Sequence, residues 1–293
     1  MDYVSVIEAS DVAEAVCDLY RRISTELRPD VVEALRSALE REDSEPAREV
    51  LRALLENAEI SRADGVPLCQ DTGLVVAFVK LGARVVLTGG SLQEALDEGV
   101  RRAVGAQPLR ASTVESPLGR RNTGGNTPAV VHVQPDEGDA LTIHLLAKGG
   151  GAENVSRLHM LTPADGRAGV LKAIVLTVDR AGADACPPLV VGVGLGGNFE
   201  QSALLSKRAL LRDLREPNPD AELATLEREA LERVNGLGIG PQGFGGRTTA
   251  LAVLIAQAPC HIASLPVAVN LECHSHRHGA VTLHGRPRRL GGA

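Results

Sequence analysis

The sequence predicts a mixed α/β protein, with an N-terminal helical segment over residues 1–62 followed by an α/β unit. Three observations carry this. Apolar residues recur at helical spacing through the opening stretch. After Asp64-Gly65, short β-branched runs alternate with helical patterns. No internal repeat or low-complexity linker breaks the chain. With 293 residues, 44% of them hydrophobic, the chain is long enough for a large core, so residues 1–293 are assigned as one unit, with two lobes as the alternative.

In the first segment Val12, Val16, Leu19, Ile23 and Leu27 share a helix face behind Ser10 as N-cap. Asp30 and Glu33 have capping-box spacing ahead of Leu35 and Leu39. Ser44 and Pro46 open a third helix that turns Val50, Leu51, Leu54 and Leu55 inward. Residues 74–79 and 84–87 then read as strands linked around Gly82, and 91–104 as a helix opened by a Ser91/Glu94 capping box. The polar, Gly-rich stretch 110–127 exceeds what a connector needs and is predicted to be a binding loop. Residues 130–133 and 141–147 are expected to form a strand pair. Helices are predicted at 163–181, 198–212 and 219–234, and further strands at 189–193, 250–255, 267–271 and 281–284.

Composition narrows the function. A net charge of −6, no Trp, three Phe and two Tyr argue against nucleic acid as partner, since both the positive field and the stacking platforms are missing. No signal peptide is visible and the longest apolar run, 249–256, is far too short to span a bilayer, so a cytoplasmic protein with no membrane partner is expected. Five cysteines in such a chain point to buried thiols, metal ligands or catalysis rather than a disulfide framework.

Three of those cysteines stand in unusual contexts: Cys69-Gln70-Asp71-Thr72-Gly73, Ala185-Cys186-Pro187-Pro188, and Cys273-His274-Ser275-His276-Arg277-His278. They are too far apart for a compact zinc knuckle. The first crowds a thiol, an amide and a carboxylate at a strand mouth, although a buried thiol beside an Asx-turn ending at Gly73 explains it equally well. The second holds Cys186 ahead of proline, where an extended, rigid backbone is expected that would suit a fixed ligand, although a purely structural turn is the better reading of this segment alone. In the third, zinc binding by the His tract lacks a partner motif, and a solvated polar terminus explains those residues better. Cys17 reads as a small buried hydrophobe in the first helix.

The glycine-rich segments divide. Lys148-Gly149-Gly150-Gly151 is favoured as an anion-binding turn because of its lysine. Gly192 to Gly197 has GxGxxG spacing, but no second parallel strand with a ribose-binding acid follows at the right place, so a packing turn is the better reading. Gly243-Phe244-Gly245-Gly246-Arg247 is a further close-approach segment. His261, a single histidine near an apolar strand, is structural unless the site lies beside it.

Taken in order, CQDTG (69–73), NTGGNTPA (122–129), KGGG (148–151), ACPP (185–188), GFGG (243–246) and ASLPVAVNLECHSHRH (263–278) resemble the iron–sulfur-dependent class I fumarases and L(+)-tartrate dehydratases. The likeness is to the separate α subunit of the two-subunit versions and runs from about the first helix to near the C-terminus. It implies a [4Fe–4S] cluster on Cys69, Cys186 and Cys273, leaving one iron with an open position, and structural roles for Cys17 and Cys260. It also implies substrate contacts by Gln70, Asp71, Arg110, the Gly151 backbone and His261, with Lys148 nearby by adjacency. Asp71 and Gln70 would be the catalytic pair. The expected reaction is reversible hydration of fumarate to malate, or dehydration of L-tartrate to oxaloacetate. A β subunit is expected as partner, in an α2β2 assembly acting on a small dicarboxylate. Two rival classes stand beside it: a dinucleotide oxidoreductase built on Gly192–Gly197 and a non-catalytic scaffold subunit.

Overall fold

The computed structural model describes residues 3–289. The chain divides into two compact units. Among the described residues, the first is built from 3–26, 60–148 and 277–289, and the second from 27–59 and 149–276. Both are mixed α/β, as the sequence predicts.

The first unit holds two sheets. In one, β1 (Tyr3–Glu8) lies between β3 (Val85–Thr88) and β11 (Arg286–Arg289), parallel to the former and antiparallel to the latter. The other has the order β10-β5-β2-β4, formed by His278–His284, Ala140–Lys148, Leu74–Gly82 and Val130–Asp136. Residues 75–79 of β2 are buried on both faces, which is why they read as an unbroken apolar run. Helices α1 (Ala9–Thr25) and α4 (Leu92–Ala106) pack against this sheet through Val12, Val16, Leu19, Ile23, Leu96 and Val100. Their approach depends on Gly99, where a Cβ would sit 2.6 Å from the Ala13 carbonyl oxygen.

Several local expectations are corrected here. Helix α1 starts one residue before Ser10, with Glu8 at the N-cap position and no side-chain cap, because strand β1 runs directly into it. The two strands linked around Gly82 are present as expected, and β3 joins β1 in a different sheet. Nor do β4 and β5 pair; they flank β2 on opposite sides, β4 parallel and β5 antiparallel. The Ser91/Glu94 capping box is present as expected.

The second unit is built on one sheet of order β6-β9-β7-β8, from Arg157–Leu161, Leu265–Glu272, Leu189–Gly196 and Ala250–Ala258. Strands β7 and β8 are parallel, while β9 runs antiparallel to β7 and β6. The alternation of β7 is functional in packing terms. Val191 and Val193 face a core with α6 (Gly166–Ala181) and α8 (Ala221–Asn235), which contribute Ile174, Val178, Leu226 and Ala230. On the opposite face Gly192 and Gly194 lie under α7 (Phe199–Ala209), where an added Cβ would fall 2.2 Å from the Ser206 carbonyl oxygen and 1.9 Å from that of Ser202. The GxGxxG spacing therefore serves helix–sheet contact.

Helices α2 (Pro29–Arg41) and α3 (Glu45–Asp64) bury Val31, Leu35, Ala38 and Leu51 in a separate apolar cluster. The expected Asp30/Glu33 box is absent. Pro29 opens α2, and the buried Asp30 carboxylate accepts from Arg28 and from the Leu214 N–H instead. A short helix, α5 (Gly150–Asn154), follows Gly149. Among the described residues no helix is long and apolar enough to cross a membrane.

Candidate active site

In the first unit, the Cys69–Gly73 segment sits at the entrance to β2. Its form comes from an Asx-turn, in which the Gly73 N–H donates to Asp71 Oδ1 at 3.0 Å while Gly73 takes a φ of 72°. Cys69 and Asp71 are half-buried, Gln70 is exposed and Thr72 is buried. The Thr72 hydroxyl donates to the carbonyl of Arg110 and lies 3.1 Å from Ser112 Oγ, so the segment is tied to the start of the 110–127 loop.

One residue organises these connections. Asn126 is fully buried with a left-handed φ of 57°, a conformation asparagine tolerates better than most residues. Its Oδ1 accepts from the Ser112 N–H at 2.9 Å and the Thr113 hydroxyl at 3.0 Å. Its Nδ2 donates to Tyr20 Oη at 3.0 Å and the Gly73 carbonyl at 2.9 Å. Tyr20 in turn donates to the Thr72 carbonyl, and burial pushes its phenol pKa up, opposed by the charge of Arg277. The loop is thus fixed at its base, while Arg110 itself stays exposed. Lys148 is buried at the end of β5, opposite Leu74 at the start of β2.

In the second unit the two other signalled cysteines meet at one end of the sheet, where β7 begins and β9 ends. Cys186 is exposed and adopts a φ of 54°. The expectation of extended backbone is overturned: with this left-handed φ, its N–H closes a turn onto the Ala183 carbonyl at 2.9 Å. Such strain persists where surroundings over-determine it. Here His274, the neighbour of Cys273, places Nδ1 3.1 Å from the Cys186 carbonyl oxygen. The same Nδ1 lies 3.2 Å from the Gln242 side-chain amide nitrogen, so His274 is held from both sides. Gln242 adds its backbone and side-chain N–H groups to the Pro187 carbonyl, each at 2.8 Å. Gly151 belongs to this group as well, because a Cβ on it would lie 3.4 Å from the Asp184 carbonyl oxygen in the same turn. The half-buried Cys273 sulfur is 3.1 Å from Ser275 Oγ.

The remaining expected residues fall elsewhere. His261 lies in the exposed loop between β8 and β9, where its ring accepts from the Ala263 N–H. Strand β9 runs from Leu265 to Glu272 before reaching Cys273, about 23 Å of extended chain. The sheet therefore sets His261 at the opposite end from Cys186 and Cys273. Cys260 shares that loop, donating to the Ser264 carbonyl, and Cys17 is half-buried in α1. The solvated-terminus reading of the His tract is corrected: His276 and His278 are buried together with Ser275 and Arg277 in a turn and strand start. Arg247 is engaged by Asp43, and its N–H by Glu42. Asn126, Gln242 and Arg277 were not legible as site residues, although a left-handed Asn before Thr-Pro was one available signal.

The donor set suits an iron–sulfur group. No disulfide joins the cysteines, and Cys69, Cys186 and Cys273 each keep part of their surface open to solvent. Two of the three come from one backbone-clamped corner. Among the described residues no three His, Cys, Asp or Glu side chains are grouped so as to hold a single metal ion.

Comparison with known proteins identifies the family. Residues 13–282 match the family model described as Fumarate hydratase (Fumerase). A protein of Methanocaldococcus jannaschii, provisionally named L(+)-tartrate dehydratase subunit alpha, is 41% identical over 273 residues, covering 91% of this chain and 95% of that one. L(+)-tartrate dehydratase subunit alpha of Escherichia coli K12 is 35% identical over 278 residues, covering 93% and 91%, and the Shigella sonnei protein of the same name gives the same figures. With matches across nearly its whole length, the chain belongs to the fumarate hydratase family of hydro-lyases.

Proposed function

We propose that this chain is the α subunit of an iron–sulfur hydro-lyase that adds water to, or removes it from, a four-carbon dicarboxylate in the cytoplasm. Cys69, Cys186 and Cys273 are the proposed ligands of a [4Fe–4S] cluster. The observation that carries the proposal is the strained Cys186 turn, clamped by the residue next to Cys273, in a chain of this family. When bound, the cluster supplies a Lewis-acidic iron with an open coordination position.

The chain's own residues supply the rest. Arg110, on an exposed loop fixed at its base, receives one substrate carboxylate through its forked donors. Asp71 spends one oxygen on the Gly73 N–H, which orients its carboxyl group for proton transfer at the carbon next to the hydroxyl-bearing one. Gln70 offers an exposed amide, Lys148 a cation and Gly151 a backbone N–H. His261 stands at the opposite end of its sheet from Cys186 and Cys273, so a substrate contact from it at those cysteines calls for a second copy to present it. The subunit names of the relatives support a β partner, and α2β2 is the assembly we propose. Those names favour L-tartrate as substrate, and the family description favours fumarate and malate.

Anaerobic iron and sulfide reconstitution of the chain with its β subunit should give a brown protein with broad visible absorption and hydro-lyase turnover. A panel of L-tartrate, malate and fumarate then ranks the substrates. Cys186→Ser should remove both colour and turnover. Full turnover by the isolated chain would refute the partner, and turnover without bound iron would refute the cofactor.

A further inference from the structure

Arg277 is 2% exposed and among the largest fully buried side chains of the protein. Its Nε and Nη2 have no hydrogen-bond partner among the described residues. A guanidinium cannot shed its proton to escape burial, so an unmatched edge of this kind calls for an acceptor. These two nitrogens lie on one edge, the side that meets both oxygens of a carboxylate. The protein uses that edge elsewhere. Arg28 grips Asp30 through Nε at 3.0 Å and Nη2 at 3.1 Å, and Arg215 grips Asp213 at 2.9 and 2.7 Å.

The position of Arg277 is informative. Its carbonyl accepts from the Ala147 N–H at 2.9 Å, one residue before Lys148. Lys148 pairs with Leu74, which directly follows the Cys69–Gly73 segment. The charges of both Arg277 and Asp71 act on the Tyr20 phenol, which places all three groups in one neighbourhood of the first unit. Two buried cations, Arg277 and Lys148, thus stand at the end of the sheet where the CQDTG segment enters.

We propose that Arg277 is a substrate-binding residue whose Nε/Nη2 edge receives the inner carboxylate of the dicarboxylate, with Arg110 taking the outer one. This rests on the hydro-lyase reading and names a recognition element within it. The test uses the reconstituted α/β enzyme, with succinate as an unreactive dicarboxylate and butyrate as its monocarboxylate counterpart. Binding is read by competitive inhibition and by thermal shift. The native enzyme should bind succinate far more tightly than butyrate. Arg277→Lys keeps the charge and loses the fork, and should raise KM and weaken succinate by about tenfold to a hundredfold, with butyrate little changed. Arg277→Met should go further; if it fails to fold, the lysine variant alone decides. If native enzyme discriminates between the two acids and Arg277→Lys discriminates equally well, the assignment is wrong while the hydro-lyase reading survives. If native enzyme binds neither acid, both fall.

Discussion

The side chain of Asn126 spends all its hydrogen-bonding capacity inside the protein, joining helix α1, the CQDTG segment and the loop that carries Arg110. Removing it leaves several buried groups without partners. Asn126→Ala should therefore cost about 2–4 kcal/mol in chemical denaturation. It should also raise KM several-fold, because Arg110 and Asp71 lose their shared anchor. Asn126→Asp keeps the two accepting contacts but loses donation to both Tyr20 and Gly73 and buries a carboxylate, so a loss at least as large is expected. A destabilised variant with native KM would confine Asn126 to stability. The NTGGNTPA motif was visible in the sequence, yet this role was not, since the partners lie up to 106 positions away. Cys186 shows the complementary case. The rule for a residue before proline excluded helix correctly, but only the turn onto Ala183 and the His274 contact select the left-handed region.

Elements were more legible than their pairing. The three opening helices, the Ser91/Glu94 box and the apolar strands follow from periodicity and capping chemistry, which are local. Partner choice is not local, and β2 sits between β4 and β5 in an order that adjacency in the sequence does not reveal. Strand β1 was missed because its polar and apolar residues run straight into a helical pattern. Strand β7 gives a direct test of what its glycines do. Gly194→Ala puts a methyl group 1.9 Å from a helix backbone oxygen, so β7 and α7 must separate. A loss of at least about 1–3 kcal/mol is expected, seen as a drop of several degrees in Tm. Unchanged stability combined with altered nicotinamide binding would instead revive the dinucleotide reading.

For the whole molecule, the placement of His261 makes a prediction about assembly. If two α chains share the assembly and each lends His261 to the other, His261→Ala and Cys186→Ser should each be inactive alone. Mixed during assembly, they should recover about a quarter of native turnover, because half the pairs are hybrid and each hybrid has one intact site. No recovery, or native activity in His261→Ala alone, would remove His261 from the proposed contacts. The sequence named His261 through family likeness, and only the direction of β9 shows that it stands at the opposite end of its sheet from Cys186 and Cys273.

The route of the backbone through the two units bears on how the protein is made. Strand β10 borders the sheet that carries the CQDTG segment, and β11 borders β1, yet both come from the last stretch of the chain, after the second unit is already complete. A nascent polypeptide leaving the ribosome can finish the inserted unit first. The earlier-synthesised one must wait, with the β5 edge uncovered, until residues 278–284 emerge. That interval is when the nascent protein is most open to wrong strand pairing, and it is where a chaperone would have most to protect.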